Sequence, residues 1–327
     1  MTRMCSGVVG FLVFSVAISG LQAQSSSDSG LRRTSWGSPD LQGVWHFNTN
    51  VPLESSRDAG EIAAAERRSE PDWRLPDRPP EGDVGAYNTF WLDIAGDGTQ
   101  RKAQIIDPPD GRIPALRDGV DVQFGSLYAD HPGSRPVRYR SGGIGTDGPE
   151  DRGVAVRCII GFNSGPPMLP IGYNNNMQLF QTSDYVVILN EMVHDARVVP
   201  LDGRSHLPVG IRQWMGDSRG HWDGDVLVIE TTNFTDKTAS FNPSISRAIG
   251  TGQTLTLIER FSRPNEETLE YEYTIMDPTT FLDSFTTSIP MSLSDGQIFE
   301  YACHEGNHGL ENILRGARAE ESVSQTR

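Results

Sequence analysis

The chain has 327 residues and a formal net charge of -15, from 28 Lys and Arg against 43 Asp and Glu. Such a field repels phosphate backbones and anionic lipid, which argues against nucleic-acid and membrane-surface partners. The 34 glycines and 21 prolines exceed their average combined share of ~12% and disfavour a helical bundle, while 13 Phe, 8 Tyr and 6 Trp are too many for wholesale disorder.

Residues 1–23 read as a secretory signal. Arg3 supplies the positive start, Gly7 to Ile18 an apolar run too short to span a bilayer, and Leu21-Gln22-Ala23 an acceptable cleavage site. The expected location is therefore exported, periplasmic or extracellular, with no membrane insertion after cleavage. Residues 24–35 form a polar tether, and a single β-rich domain is expected over 36–318. Within it, 36–153 form an N-terminal wrap and 154–318 a barrel-like half, with a flexible tail at 319–327. In the wrap, Leu41, Trp45 and Phe47 mark a first strand, Glu61–Arg68 a surface helix, and Tyr87–Asp93 and Ala103–Asp107 two strands. Residues 117–153 are Gly- and Asp-rich and read as an irregular excursion.

From 154 onward strand signals are dense. Tyr185–Pro200 reads as one long strand or two joined at a bend. Val226–Thr232 follows the hairpin turn Trp222-Asp223-Gly224-Asp225. Thr254–Ser262 and Thr268–Met276 flank a second turn, with Leu269, Tyr271, Tyr273 and Ile275 alternating with polar residues. Phe285–Met291 and Gln297–Cys303 follow as strands, and Gly309–Gly316 as a short helix ending at its glycine. The pattern predicts a mainly β fold, an antiparallel barrel or sandwich. A lipocalin-like barrel is favoured because Gly43-Val44-Trp45 is similar to the G-x-W signature that opens lipocalins.

With Cys5 in the signal, Cys158 and Cys303 are left to form one disulfide or remain two buried thiols. Three constellations carry candidate chemistry. His304-Glu305-Gly306-Asn307-His308 satisfies H-E-x-x-H, which on a helix holds zinc between two imidazoles. A preceding strand, poor helix formers inside the motif and a short remaining chain favour a plain strand end instead. Zinc is the cofactor this motif admits, through His304 and His308, and none is predicted; redox and nucleotide cofactor signatures are absent. Glu191, His194, Asp195 and Arg197 crowd one apolar-flanked segment. As a strand it would put Glu191, Asp195 and Arg197 on one face and His194 on the other. A carboxylate beside a histidine tunes a general base; the plainer alternative is a solvated face with one satisfied core histidine. Arg212, Trp214, Asp217 and Arg219 suit the rim of a polar-ligand site, or a loop pinned by its own ion pairs. Tyr173 and Asn175 could add polar contacts or serve the turn.

Eight segments taken together carry a resemblance: PDLQGVW at 39–45, YNTFW at 87–91, IDPPDGRIP at 106–114, NNNMQ at 174–178, EMVHDARVVPLDGR at 191–204, RQWMGDSRGHWDGD at 212–225, ETTNFTDKT at 230–238 and YACHEGN at 301–307. They resemble a large family of secreted bacterial proteins of uncharacterised function, over nearly the whole chain after the signal. The resemblance implies an exported single-domain protein and brings no activity or ligand with it. Where that pattern carries an aromatic residue after C-H-E-G-N, this chain has His308, which weakens the zinc reading.

Two function classes result, beside a weaker third, a zinc-dependent hydrolase through His304-Glu305-x-x-His308. The first is an exported enzyme of hydrolase, lyase or isomerase type acting on a small polar or carbohydrate-like substrate. His194 would be its base, Glu191 or Asp195 the orienter, His304 or Glu305 the acid, and Arg197 or Arg212 the anion anchor. Its cleft would lie between the His194 strand, the 212–221 loop and the 303–307 strand end. The second is a non-catalytic, lipocalin-like protein binding an apolar or aromatic small molecule. Convergence of the charged residues in one pocket decides between them.

Overall fold

The computed structural model describes residues 31–55, 101–124, 146–244 and 247–325. The expected signal, the helix at 61–68 and the strand at 87–93 lie outside the described residues. Among the described residues thirteen strands follow in chain order: β1 (Gly43–His46), β2 (Ile105–Asp107), β3 (Val122–Phe124), β4 (Asn176–Gln181), β5 (Tyr185–Asn190), β6 (Ala196–Pro200), β7 (Asp217–Asp223), β8 (Val226–Thr232), β9 (Phe241–Ser244), β10 (Arg247–Ile249), β11 (Thr256–Asn265), β12 (Thr268–Met276) and β13 (Phe285–Ser294). One α-helix among the described residues, α1 (His308–Ser324), closes the series. Ten strands make one antiparallel sheet in the order β6-β5-β4-β1-β13-β12-β11-β8-β7, with β2 also on β13. A smaller sheet, β3-β10-β9, packs Phe241 and Ile249 into the same core.

Period-two patterning builds the large sheet. Leu257, Glu259 and Phe261 on β11, Leu269, Tyr271, Tyr273 and Ile275 on β12, and Phe285, Ile289 and Met291 on β13 are all buried, whereas Arg260, Glu270 and Glu272 face outward. The β7–β8 hairpin turns at Gly224, whose φ of +60° suits a residue without a Cβ. The sheet curls until its edges meet. A Cβ on Gly220 of β7 would lie 2.7 Å from Leu201 Cδ2 and 3.0 Å from Val199 Cγ1, just after and within β6. The contact is made by side chains, because no ladder joins β6 to β7 among the described residues. The result is a mainly β, curled antiparallel sheet around one apolar interior.

That interior is filled. Phe261 and Tyr271 have ring centroids 4.8 Å apart, and Tyr271 and Tyr273 5.7 Å apart. Trp45 is fully buried, donates from Nε1 to the Leu41 carbonyl at 2.9 Å, and carries the Arg263 guanidinium 5.2 Å from its ring centroid.

Four expectations need correction. The N-terminal segment does more than wrap, since β1 sits inside the large sheet between β4 and β13. Residues 31–35 already join the fold: Arg33 bridges to Pro39 and pairs with Asp225 at 2.8 Å. Gln297–Cys303 is not a strand. Its backbone groups are taken by side chains of the β5–β6 bend instead of a strand edge, the Phe299 amide donating to Glu191 and the Tyr301 carbonyl accepting from His194. The helix does not stop at Gly316 but runs to Ser324, through most of the expected tail. A helical glycine costs only about 1 kcal/mol, and the helix-forming residues 317–321, with Arg315–Glu311 and Arg318–Glu321 pairs, offset it. In the expected 117–153 excursion, residues 125–145 lie outside the described residues, and Val122–Phe124 is strand.

Candidate functional site

Tyr185–Pro200 is two strands, and the bend between them shapes the site. Glu191 leaves β5 in the helical region, then Val193 and His194 take φ of 62° and 46°. A β-branched valine in the left-handed region is a genuine outlier. The bend drives Met192 into a small satellite core with Cys158 and Val193, against which Phe162, Tyr173, Tyr301 and Cys303 pack. Cys158, at φ 55°, is bonded to Cys303. Beside this disulfide lies a pocket of about 420 Å³. One wall comes from residues 155–162 and the 192–193 bend, the other from residues 300–307 and the first turns of α1. Phe162, Met192, Val193, Tyr301, Leu310 and Ile313 make the lining largely apolar, and Glu300 is its one carboxylate.

The proposed catalytic residues do not meet there. Glu191 is buried behind the bend, where its carboxylate accepts from Asn176 Nδ2 at 2.8 Å and from the Phe299 amide at 3.2 Å. His194 is exposed, with Nδ1 3.2 Å from the Tyr301 carbonyl oxygen. A carbonyl only accepts, so Nδ1 carries the hydrogen. Asp195 accepts from Ser164 Oγ at 2.8 Å and the Gly161 amide at 3.1 Å, tying the bend to the 155–162 side of the same wall. His304, Glu305 and His308 are exposed. Since α1 begins at His308, His304 lies in the preceding turn and the two imidazoles share no helical face. Among the described residues no group of three or more His, Cys, Asp or Glu side chains is placed to hold a metal.

Arg197 leaves the constellation altogether. It points from β6 across the sheet's interior and forms a bidentate pair with Glu259 of β11, Nη2 to Oε1 at 2.9 Å and Nη1 to Oε2. Tyr271 donates to Glu259 Oε1 at 2.8 Å and accepts the Met168 amide at 3.1 Å. Burial and the adjacent carboxylate raise the Tyr271 hydroxyl well above its ordinary range, so it remains a donor. Burial lowers the Arg197 guanidinium, but the attraction of Glu259 outweighs that and leaves it raised. This is a structural brace, not an anion anchor.

The 212–219 residues divide as well. Arg212 donates to the Phe234 and Gln253 carbonyls at 2.9 and 2.8 Å. Trp214 stacks under Arg157, 5.7 Å from its ring centroid, and borders Ile160, Gly165 and Pro166 away from the disulfide pocket. Asp217 and Arg219 pair at 2.7 Å on β7. There they meet His206, which sequence reasoning passed over because it stands alone in an unpatterned loop. Its Nδ1 is 2.9 Å from Asp217 Oδ2 and its Nε2 3.0 Å from Glu230 Oε1. Burial raises the Asp217 carboxyl, yet the Leu207 amide, His206 and Arg219 together bring it below its ordinary range. Asn175 is fully buried and locked to Ile171, accepting its amide at 2.8 Å and donating to its carbonyl at 2.6 Å. The structure therefore brings the His194 bend and the Cys303–Asn307 turn to one pocket, and places the 212–219 residues elsewhere. Comparison with family models, curated proteins and solved structures found no match to this chain.

Proposed function

We propose that the chain is an exported small-molecule binding protein, holding an apolar or aromatic ligand in the pocket beside Cys158–Cys303. The observation that carries this reading is the pocket itself. Its volume of about 420 Å³ falls within the range of ligand sites, roughly 300–1,000 Å³, and aromatic and aliphatic side chains supply most of its lining. Left-handed backbone at Cys158, Val193 and His194 frames it, and such conformations concentrate where a ligand is clamped. The disulfide suits an oxidising compartment. The lipocalin-like reading would put the ligand inside the sheet, but Trp45, Tyr271, Tyr273 and the Arg197–Glu259 pair already fill that space. A His/carboxylate enzyme would need His194, Glu191 and Arg197 to face one space, and they face three.

The test is a titration of the oxidised full-length protein with N-phenyl-1-naphthylamine, a neutral apolar fluorophore. The expected result is saturable binding that Met192→Trp and Ile313→Trp, which fill the pocket, weaken at least tenfold. Binding that neither substitution changes would move the ligand elsewhere and sink the proposal.

A further inference from the structure

Among the described residues after β13 ends at Ser294, none makes a further ladder in the sheet. Residues 295–325 nevertheless supply more than half of the pocket's lining, including Tyr301, Leu310 and Ile313. This segment is fastened lightly. Helix α1 buries none of its side chains. The Phe299 amide donates to Glu191 at 3.2 Å, and Tyr301 accepts from His194 at 3.2 Å. Asn307 Nδ2 donates to the Val156 carbonyl at 2.8 Å, and Arg318 reaches the Thr146 and Asp147 carbonyls at 2.9 and 3.0 Å. These are partly exposed hydrogen bonds, which water can replace. The one covalent tie is Cys158–Cys303. It joins the segment to the opposite wall of the pocket, beside the bend on which Met192 and Val193 sit.

From this arrangement, and resting on the binding reading above, we infer that residues 295–325 are a strap over the pocket with the disulfide as its latch, so that binding is redox-gated. A dithiol reductant opens the latch by exchange. Its thiolate attacks one sulfur and the protein S–S bond breaks. The reductant then leaves as its own disulfide, having passed two electrons and two protons to Cys158 and Cys303 as thiols. With the latch open, the solvent-facing hydrogen bonds no longer hold Tyr301, Leu310 and Ile313 against Phe162 and Met192, and the pocket loses one wall.

The experiment compares oxidised full-length protein, the same protein reduced with dithiothreitol, and Cys303→Ser. Each is followed by hydrogen exchange and by N-phenyl-1-naphthylamine titration. The expected result is fast exchange over 296–325 in the reduced and Cys303→Ser forms, slow exchange over β11–β13 in all three, and at least tenfold weaker probe binding without the bond. Equal protection of 296–325 with and without the bond would overturn the strap. So would amides of β11–β13 opening as readily as those of 296–325, because the bond would then hold the whole fold. Unchanged affinity alongside an opened strap would overturn the gating. If the oxidised protein binds no probe, or Met192→Trp leaves binding intact, the binding reading fails and the gating with it. The exchange contrast alone would then decide whether the strap opens.

Discussion

Arg197 and Glu259 come from strands far apart in the sheet order and meet in its interior, each all but removed from solvent. The cost of burying two charges is offset only by near-complete hydrogen bonding, which the bidentate geometry and Tyr271 provide. Replacing Glu259 by Gln leaves a guanidinium buried without its counter-charge. We expect Glu259→Gln to destabilise the protein by about 3–5 kcal/mol, and the double change Arg197→Met with Glu259→Leu to recover most of that loss. Urea denaturation at neutral pH measures both. A Glu259→Gln cost below ~1 kcal/mol would mean the pair braces nothing. The brace was legible in the sequence, though not read from it. The alternation around 255–262 puts Glu259 on the same face as Leu257 and Phe261, and a carboxylate on an apolar face demands a partner. Arg197 stands in the same relation to Val199.

At the scale of elements, hairpins were the most readable feature because their information is local. Turn residues and period-two alternation gave the turn before β8, β8 itself, β11–β12 and the buried face of β12, whereas residues 217–221, expected in a loop, belong to strand β7. What local patterning could not contain was which strand edges stay open. Gln297–Cys303 has a strand's composition, but its Phe299 amide and Tyr301 carbonyl bond to the side chains of Glu191 and His194 and not to a strand edge. Nor could it show that residues 202–211 are clasped to β7 and β8. That clasp runs through Asp217, which accepts from the Leu207 amide at 2.9 Å as well as from His206 and Arg219. Its carboxyl is lowered in the folded protein, so its stabilising contribution is complete above the ordinary carboxylate value of ~3.9. The contribution is lost as pH falls through the lower folded value. The protection of the Leu207 amide against hydrogen exchange, taken relative to its intrinsic rate at each pH, should therefore fall as the pH drops below about 4. Asp217→Asn should cost about 1–3 kcal/mol at neutral pH and flatten that acid dependence. An unchanged acid limb in Asp217→Asn would assign the dependence to other carboxylates.

For the molecule as a whole, the sheet and the disulfide answer to different physics. The strands of the large sheet lie between Gly43 and Ser294, and Cys303 lies beyond the last of them. No strand of the sheet carries either half of the bond, so the sheet is expected to keep its contacts without it. Its effect on global stability acts through the unfolded chain, where it closes a loop spanning 145 residues. In the chain-entropy treatment such closure is worth about 5 kcal/mol. Reduction should thus lower the free energy of unfolding by up to that amount while the far-UV sheet spectrum of the folded protein stays the same. The urea m-value should also rise, because a reduced unfolded chain expands further and exposes more surface. These two changes separate an unfolded-state effect from a native one. A lower midpoint with unchanged m and a weakened sheet spectrum would show that the bond shapes the native sheet directly. A lower midpoint with higher m and an intact spectrum would leave the sheet self-sufficient, and the role of the bond in the folded state confined to the pocket wall it holds.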